Sequence, residues 1–143
     1  MKSKTILVVY QDDLWVNSLS SFFHDHGGYR VESAKIVSEM IRKVRKGNIH
    51  IILLEDEIEG VNACDLVPLL KKIDDKIQVI VISSDPSVGL AKRLRRAGIF
   101  YQAMKPVDLE EIKSAVACAS QKIDREGLKE GFFPFFIPKR VPA

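Results

Sequence analysis

The sequence predicts an α/β domain with a doubly wound, five-stranded parallel sheet and helices on both faces. Three observations predict it. Several short runs are apolar and β-branched, the stretches between them repeat hydrophobic residues at helical spacing, and the two kinds of segment alternate along the chain. A strand covered by helices on both faces has no solvent side, so its positions stay apolar throughout.

The first strand is Thr5-Ile6-Leu7-Val8-Val9-Tyr10, a run without alternation. Leu14, Leu19, Phe22 and Phe23 then mark the apolar face of a first helix. Tyr29 to Ala34 alternates and makes a weaker second strand, followed by a helix with Ile36, Met40, Ile41 and Val44 on its apolar face. Ile49 to Leu54 is the third strand, and Leu66, Val67, Leu69 and Leu70 belong to the third helix. Ile77 to Ile82 is the fourth strand, followed by a helix carrying Leu90, Leu94 and Ala97. Ile99 to Met104 is a shorter fifth strand, and Leu109, Ile112, Ala115, Val116 and Ala119 line the fifth helix. Gly27-Gly28, Gly47-Asn48 and Gly98 stand just past the first, second and fourth helices, where C-terminal caps belong. Asp108 is placed to cap the start of the fifth.

With 143 residues, 46% of them hydrophobic, the chain has the length and apolar content of one domain with a real core. Disorder would need fewer apolar residues, and a membrane span would need about 18 or more in an unbroken run. After Met1-Lys2-Ser3-Lys4 the apolar run ends at Gln11 and Asp12, too short for a secretory leader, which points to the cytoplasm. Cys64 and Cys118 lack metal-ligand spacing and fall on apolar helix faces, so both are expected as buried, reduced thiols. The net charge of +3 is spread over several helices. Arg42-Lys43 with Arg45-Lys46, and Lys92-Arg93 with Arg95-Arg96, read as solvated helix faces, and a nucleic-acid surface is not indicated.

In an open sheet of this kind the functional crevice lies at the carboxyl ends of the strands, where strand order reverses. Ile6-Leu7-Val8-Val9 opening the domain, Ile82-Ser83-Ser84 ending the fourth strand and Lys105-Pro106 after the fifth together resemble a response-regulator receiver, over residues 4 to 120. The resemblance implies a flavodoxin-like, CheY-like (βα)5 fold and a role in two-component phosphorelay signalling. It further implies two acids after the first strand that hold magnesium, an acceptor aspartate after the third, and a hydroxyl and a lysine that contact the phosphoryl oxygens.

Only part of that set is present. Ser83 occupies the hydroxyl position and Lys105 the lysine position. The acid-pair positions hold Tyr10 and Gln11. Asp12 and Asp13 come later, better placed to cap the first helix, with Asp12 the one residue left as a metal ligand. Glu55 takes the acceptor position, because that register puts Ile58 in the family's apolar place and Asn62-Ala63 where Asp-Gly is usual. Asp56 is the competing occupant, in a register that puts Glu59 in the apolar place. Gln102 stands where receivers carry a switch aromatic, with Tyr101 beside it and expected to pack or sit at the surface.

The sequence divides into a receiver-like domain, residues 1 to 124, and a tail, residues 125 to 143. Gly127 and Gly131 interrupt the helical pattern, and the prolines of Phe132-Phe133-Pro134-Phe135-Phe136-Ile137-Pro138 predict an extended segment that docks on its own domain, a second copy or a partner.

The leading functional expectation is a non-enzymatic, unphosphorylated receiver-like module that acts through protein contacts with a histidine kinase, another regulator or itself. No membrane partner and no cofactor are expected, with Mg2+ reserved for a site that is still active. The alternative is an active receiver accepting phosphate on Asp56 with Asp12. A flavodoxin-like small-ligand enzyme is the alternative of another class. Against it, the sequence has no G-x-G-x-x-G and no G-x-x-x-x-G-K-[ST], and His24, His26 and His50 do not suggest a catalytic group.

Overall fold

The structure, a computed structural model, describes residues 3–136, with side chains through residue 128. In chain order the elements are β1 (Thr5–Val9), α1 (Asp13–Asp25), β2 (Arg30–Ala34), α2 (Val37–Lys46), β3 (Ile51–Glu55), β4 (Glu57–Ile58), β5 (Val61–Asn62), α3 (Ala63–Ile73), β6 (Gln78–Ser83), α4 (Val88–Ala97), β7 (Tyr101–Met104) and α5 (Leu109–Phe136). The main sheet has the order β2-β1-β3-β6-β7 and is parallel throughout. Its strands match the five predicted runs within two residues at each end. The short antiparallel pair β4-β5 was not legible in the pattern.

Successive strand residues point to opposite faces, so each apolar run feeds two cores. Leu7, Val9, Ile52, Leu54, Val79 and Val81 pack under α2, α3 and α4. Ile6, Val8, Ile51, Leu53, Ile80 and Ile82 pack under α1 and α5. Each such side chain contributes about 1.5–3 kcal/mol on burial, which makes the central strands the anchor of the fold.

Three residues assigned to apolar helix faces project into solvent instead: Leu14, Ile36 and Leu69. One residue turns a helix by about 100°, so a neighbour of a core position can fall outside the stripe. Val16, Leu19 and Phe23 form the buried face of α1, and Leu66, Val67 and Leu70 that of α3. The same geometry corrects the cysteines. Cys64 is half-buried, but Cys118 is exposed, because Ala115, Val116 and Ala119 already occupy the inner face of α5.

The larger correction concerns the tail. α5 continues through Gly127, Gly131 and Pro134 to Phe136, so residues 132–136 are helical and not extended. A helix already formed gains a hydrogen bond for each residue added, while a glycine costs only about 1 kcal/mol. Pro134 removes the bond to the carbonyl of residue 130, and the helix stops two residues later, at Phe136. Ile137, Pro138 and the rest of the tail lie outside the described residues, as do the side chains of Phe132, Phe133, Phe135 and Phe136.

Candidate functional site

The sheet register sets the rim. Val9 is level with Leu54, Glu55 with Ile82, and Ser83 with Met104. Tyr10-Gln11, Glu55-Asp56, Ser83-Ser84 and Lys105 therefore emerge together at the carboxyl ends of β1, β3, β6 and β7. The structure brings them together as two separate hydrogen-bonded groups.

The first group centres on Glu55. Its Oε2 accepts from Lys105 Nζ at 3.2 Å, and its Oε1 accepts from the Gln11 backbone N–H at 3.2 Å. The pair is half-buried, with side-chain exposures of 30% for Lys105 and 17% for Glu55. Lys105 also lies over the Tyr10 ring, 5.4 Å from its centroid. Burial of the ammonium disfavours its charge, but the hydrogen bond to Glu55 and the nearby Tyr10, Glu55 and Asp56 outweigh it and raise the lysine pKa.

The second group centres on Asp56. Its Oδ2 accepts from Ser83 Oγ at 3.1 Å and from the Ser84 backbone N–H at 3.2 Å. Ser83 Oγ also accepts from the Asp85 N–H at 3.0 Å. The expected hydroxyl is thus at the rim, but it is bonded to Asp56 and not to the Glu55–Lys105 pair.

The residues that follow β1 have other tasks. Tyr10 is buried, with its hydroxyl unpaired among the described residues. Gln11 uses its backbone N–H on Glu55, and its Oε1 accepts from the Glu59 N–H at 3.5 Å. Asp12 caps α1, accepting from the Leu14 N–H at 2.9 Å, and Asn62 caps α3 in the same way through Cys64. Magnesium requires several oxygen ligands in near-octahedral array. A buried phenol, an engaged carboxamide, a helix-capping aspartate and a glutamate with both oxygens occupied do not fit that ion. Among the described residues, no three His, Cys, Asp or Glu side chains gather as a metal cluster.

Sequence reasoning missed the role of Glu59. Glu59 and Gly60 have φ of 53° and 77°, the left-handed pair that a tight β4-β5 turn needs. This turn aims Glu59 Oε1 at the Val37 N–H, 2.7 Å away, where α2 has no side-chain cap of its own. A residue followed by glycine between two short apolar segments was the available signal. Gln102 lies half-buried in β7 with Nε2 3.9 Å from Met104 Sδ, and the neighbouring Tyr101 is at the surface, donating to Glu111 at 2.6 Å.

A model of the response regulator receiver domain matches residues 6–117. The chain is 25% identical over 116 residues to sporulation initiation phosphotransferase F of Bacillus subtilis (strain 168), covering 81% of this chain and 93% of that protein. It is 29% identical over 116 residues to the DNA-binding transcriptional regulator NtrC of Azospirillum brasilense, covering 81% of this chain; it spans only 24% of that longer protein. Among solved structures, a CheY-like receiver domain protein from Methanospirillum hungatei JF-1 superposes with a TM-score of 0.81 at 20% identity, covering 87% of this chain and 99% of the other. The matched span takes in all but the first residue of the sheet's five strands and the whole rim, and the chain belongs to the response regulator receiver domain family.

Proposed function

We propose that this receiver signals through protein contacts without accepting a phosphoryl group, with Glu55 in the place of the acceptor aspartate. One observation carries the reading: both Glu55 oxygens are occupied, by Lys105 and by the Gln11 N–H. These bonds stabilise the carboxylate and make it a poorer nucleophile, and no acid pair is present at Tyr10-Gln11 to hold the metal that neutralises a transferring phosphoryl group. The lysine already holds a carboxylate where receivers hold a phosphoryl oxygen, so the rim rests in one fixed arrangement. The partner in this reading is a histidine kinase, another regulator or a second copy, met in the cytoplasm.

The test is treatment with acetyl phosphate and magnesium followed by intact mass measurement. No gain of a phosphoryl group is the expected result. A stoichiometric gain overturns the proposal, and its mapping to Asp56 would identify that residue as the acceptor.

A further inference from the structure

The helices α2, α3 and α4 lie side by side on one face of the sheet, over a shared core. Together they carry ten Lys or Arg residues against two carboxylates, Glu39 and Asp65, a net of +8. The whole chain has a net charge of only +3, so the excess on this face is balanced by acid elsewhere. Arg42, Arg45 and Lys46 of α2 and Lys92, Arg95 and Arg96 of α4 make no ion pair or hydrogen bond among the described residues. The same face exposes apolar side chains: Ile36 at 43%, Leu69 at 47% and Val88 at 69%.

Favourable interaction with helix dipoles accounts for cations in the last turns, Arg45, Lys46, Arg95 and Arg96. It does not account for Arg42 and Lys92 in mid-helix, for the lack of facing carboxylates, or for an exposed leucine between two cationic helices. We propose that the α2-α3-α4 face is a docking surface for an acidic, amphipathic segment of a protein partner. Such a segment satisfies both chemistries, its carboxylates meeting the free cations and its apolar side chains covering Leu69 and Val88. A nucleic-acid backbone matches the charge but offers nothing to the apolar residues. The inference is independent of whether the crevice accepts phosphate.

The test measures fluorescence anisotropy of a labelled helical peptide with glutamate on one side and leucine on the other, with a short DNA duplex as the competing probe. The full chain should bind the peptide, more weakly as salt rises, and more tightly than the duplex. Arg42→Glu/Arg45→Glu/Lys92→Glu/Arg96→Glu should weaken binding by at least about tenfold, and Leu69→Ser by several-fold. The matched change Lys113→Glu on α5 should leave it unaltered. Should the reversed variant fail to fold by circular dichroism, the same four positions changed to Gln take its place. No peptide binding, binding by the variants equal to that of wild type, an equal loss in Lys113→Glu, tighter binding of the duplex, or a salt-sensitive self-association that occupies the face overturns the proposal.

Discussion

At Tyr10, burial and polarity conflict. Its ring fills the end of the α1-α5 core, yet its hydroxyl is buried without a hydrogen-bond partner among the described residues. Burial raises the phenol pKa, with Lys105 opposing and Glu55 reinforcing the shift. A buried hydroxyl that gains no bond on folding is a net cost, so Tyr10→Phe should raise stability by roughly 1 kcal/mol. Urea denaturation midpoints check this, and a loss of similar size would show that the hydroxyl is satisfied. Lys105→Ala should act in the opposite sense. The pair lies between an exposed ion pair, worth about 0–1 kcal/mol, and a fully buried one, whose breaking costs about 3–5 kcal/mol, so a loss of about 1–2 kcal/mol is expected. An unchanged midpoint would mean that solvent holds Glu55 just as well. That Glu55 stands at the end of the third strand was legible because the apolar run Ile51 to Leu54 stops there. The task of Gln11 was not legible, because its partners lie 44 and 48 residues away and one of its bonds is made by backbone.

The helix α5 has an inner face through Ile112, Ala115, Val116 and Ala119, with Ile123 packed at the margin and Lys4 pairing with Asp124 at 2.8 Å. Beyond that, Leu128 is exposed while the helix runs on to Phe136. A helical segment containing two glycines and a proline has little stability of its own. Deleting residues 127 to 143 should lower the melting temperature or reduce the mass in sedimentation; a truncated protein unchanged in both would mean that the segment docks on nothing in this protein. Strands were legible here because apolar runs report double-sided burial directly. The helix end was not, since a ladder that already exists gains a bond with each residue added.

The molecule as a whole links its stability to pH at the amino end of the sheet. His50 Nδ1 accepts from the Thr5 N–H at 3.0 Å, tying the start of β1 to the residue before β3, and a nitrogen that accepts must be unprotonated. Burial, and then the charge of Lys4, lower the histidine pKa. The unfolded chain therefore binds more protons than the folded one between that lowered value and about 6.5. Stability contributed by this group is present above about pH 6.5 and lost as pH falls below it. Denaturation midpoints collected from neutral to mildly acidic pH should fall in the native protein and fall less in His50→Gln; equal slopes would remove His50 from the account. Charge was the property least legible at this scale, because residues spread along three helices in sequence become one surface only when the crossovers place those helices together. The sheet order has a further consequence for handling the protein at high concentration. β2 and β7 are the outermost strands, and each leaves one row of backbone donors and acceptors open to chains outside the sheet. β2 sets the exposed charges of Arg30 and Glu32 along that row, and β7 is only four residues long and carries Gln102. An intruding strand would find repulsion or desolvation at the first and too little length at the second, so the native fold resists growth into cross-strand aggregates.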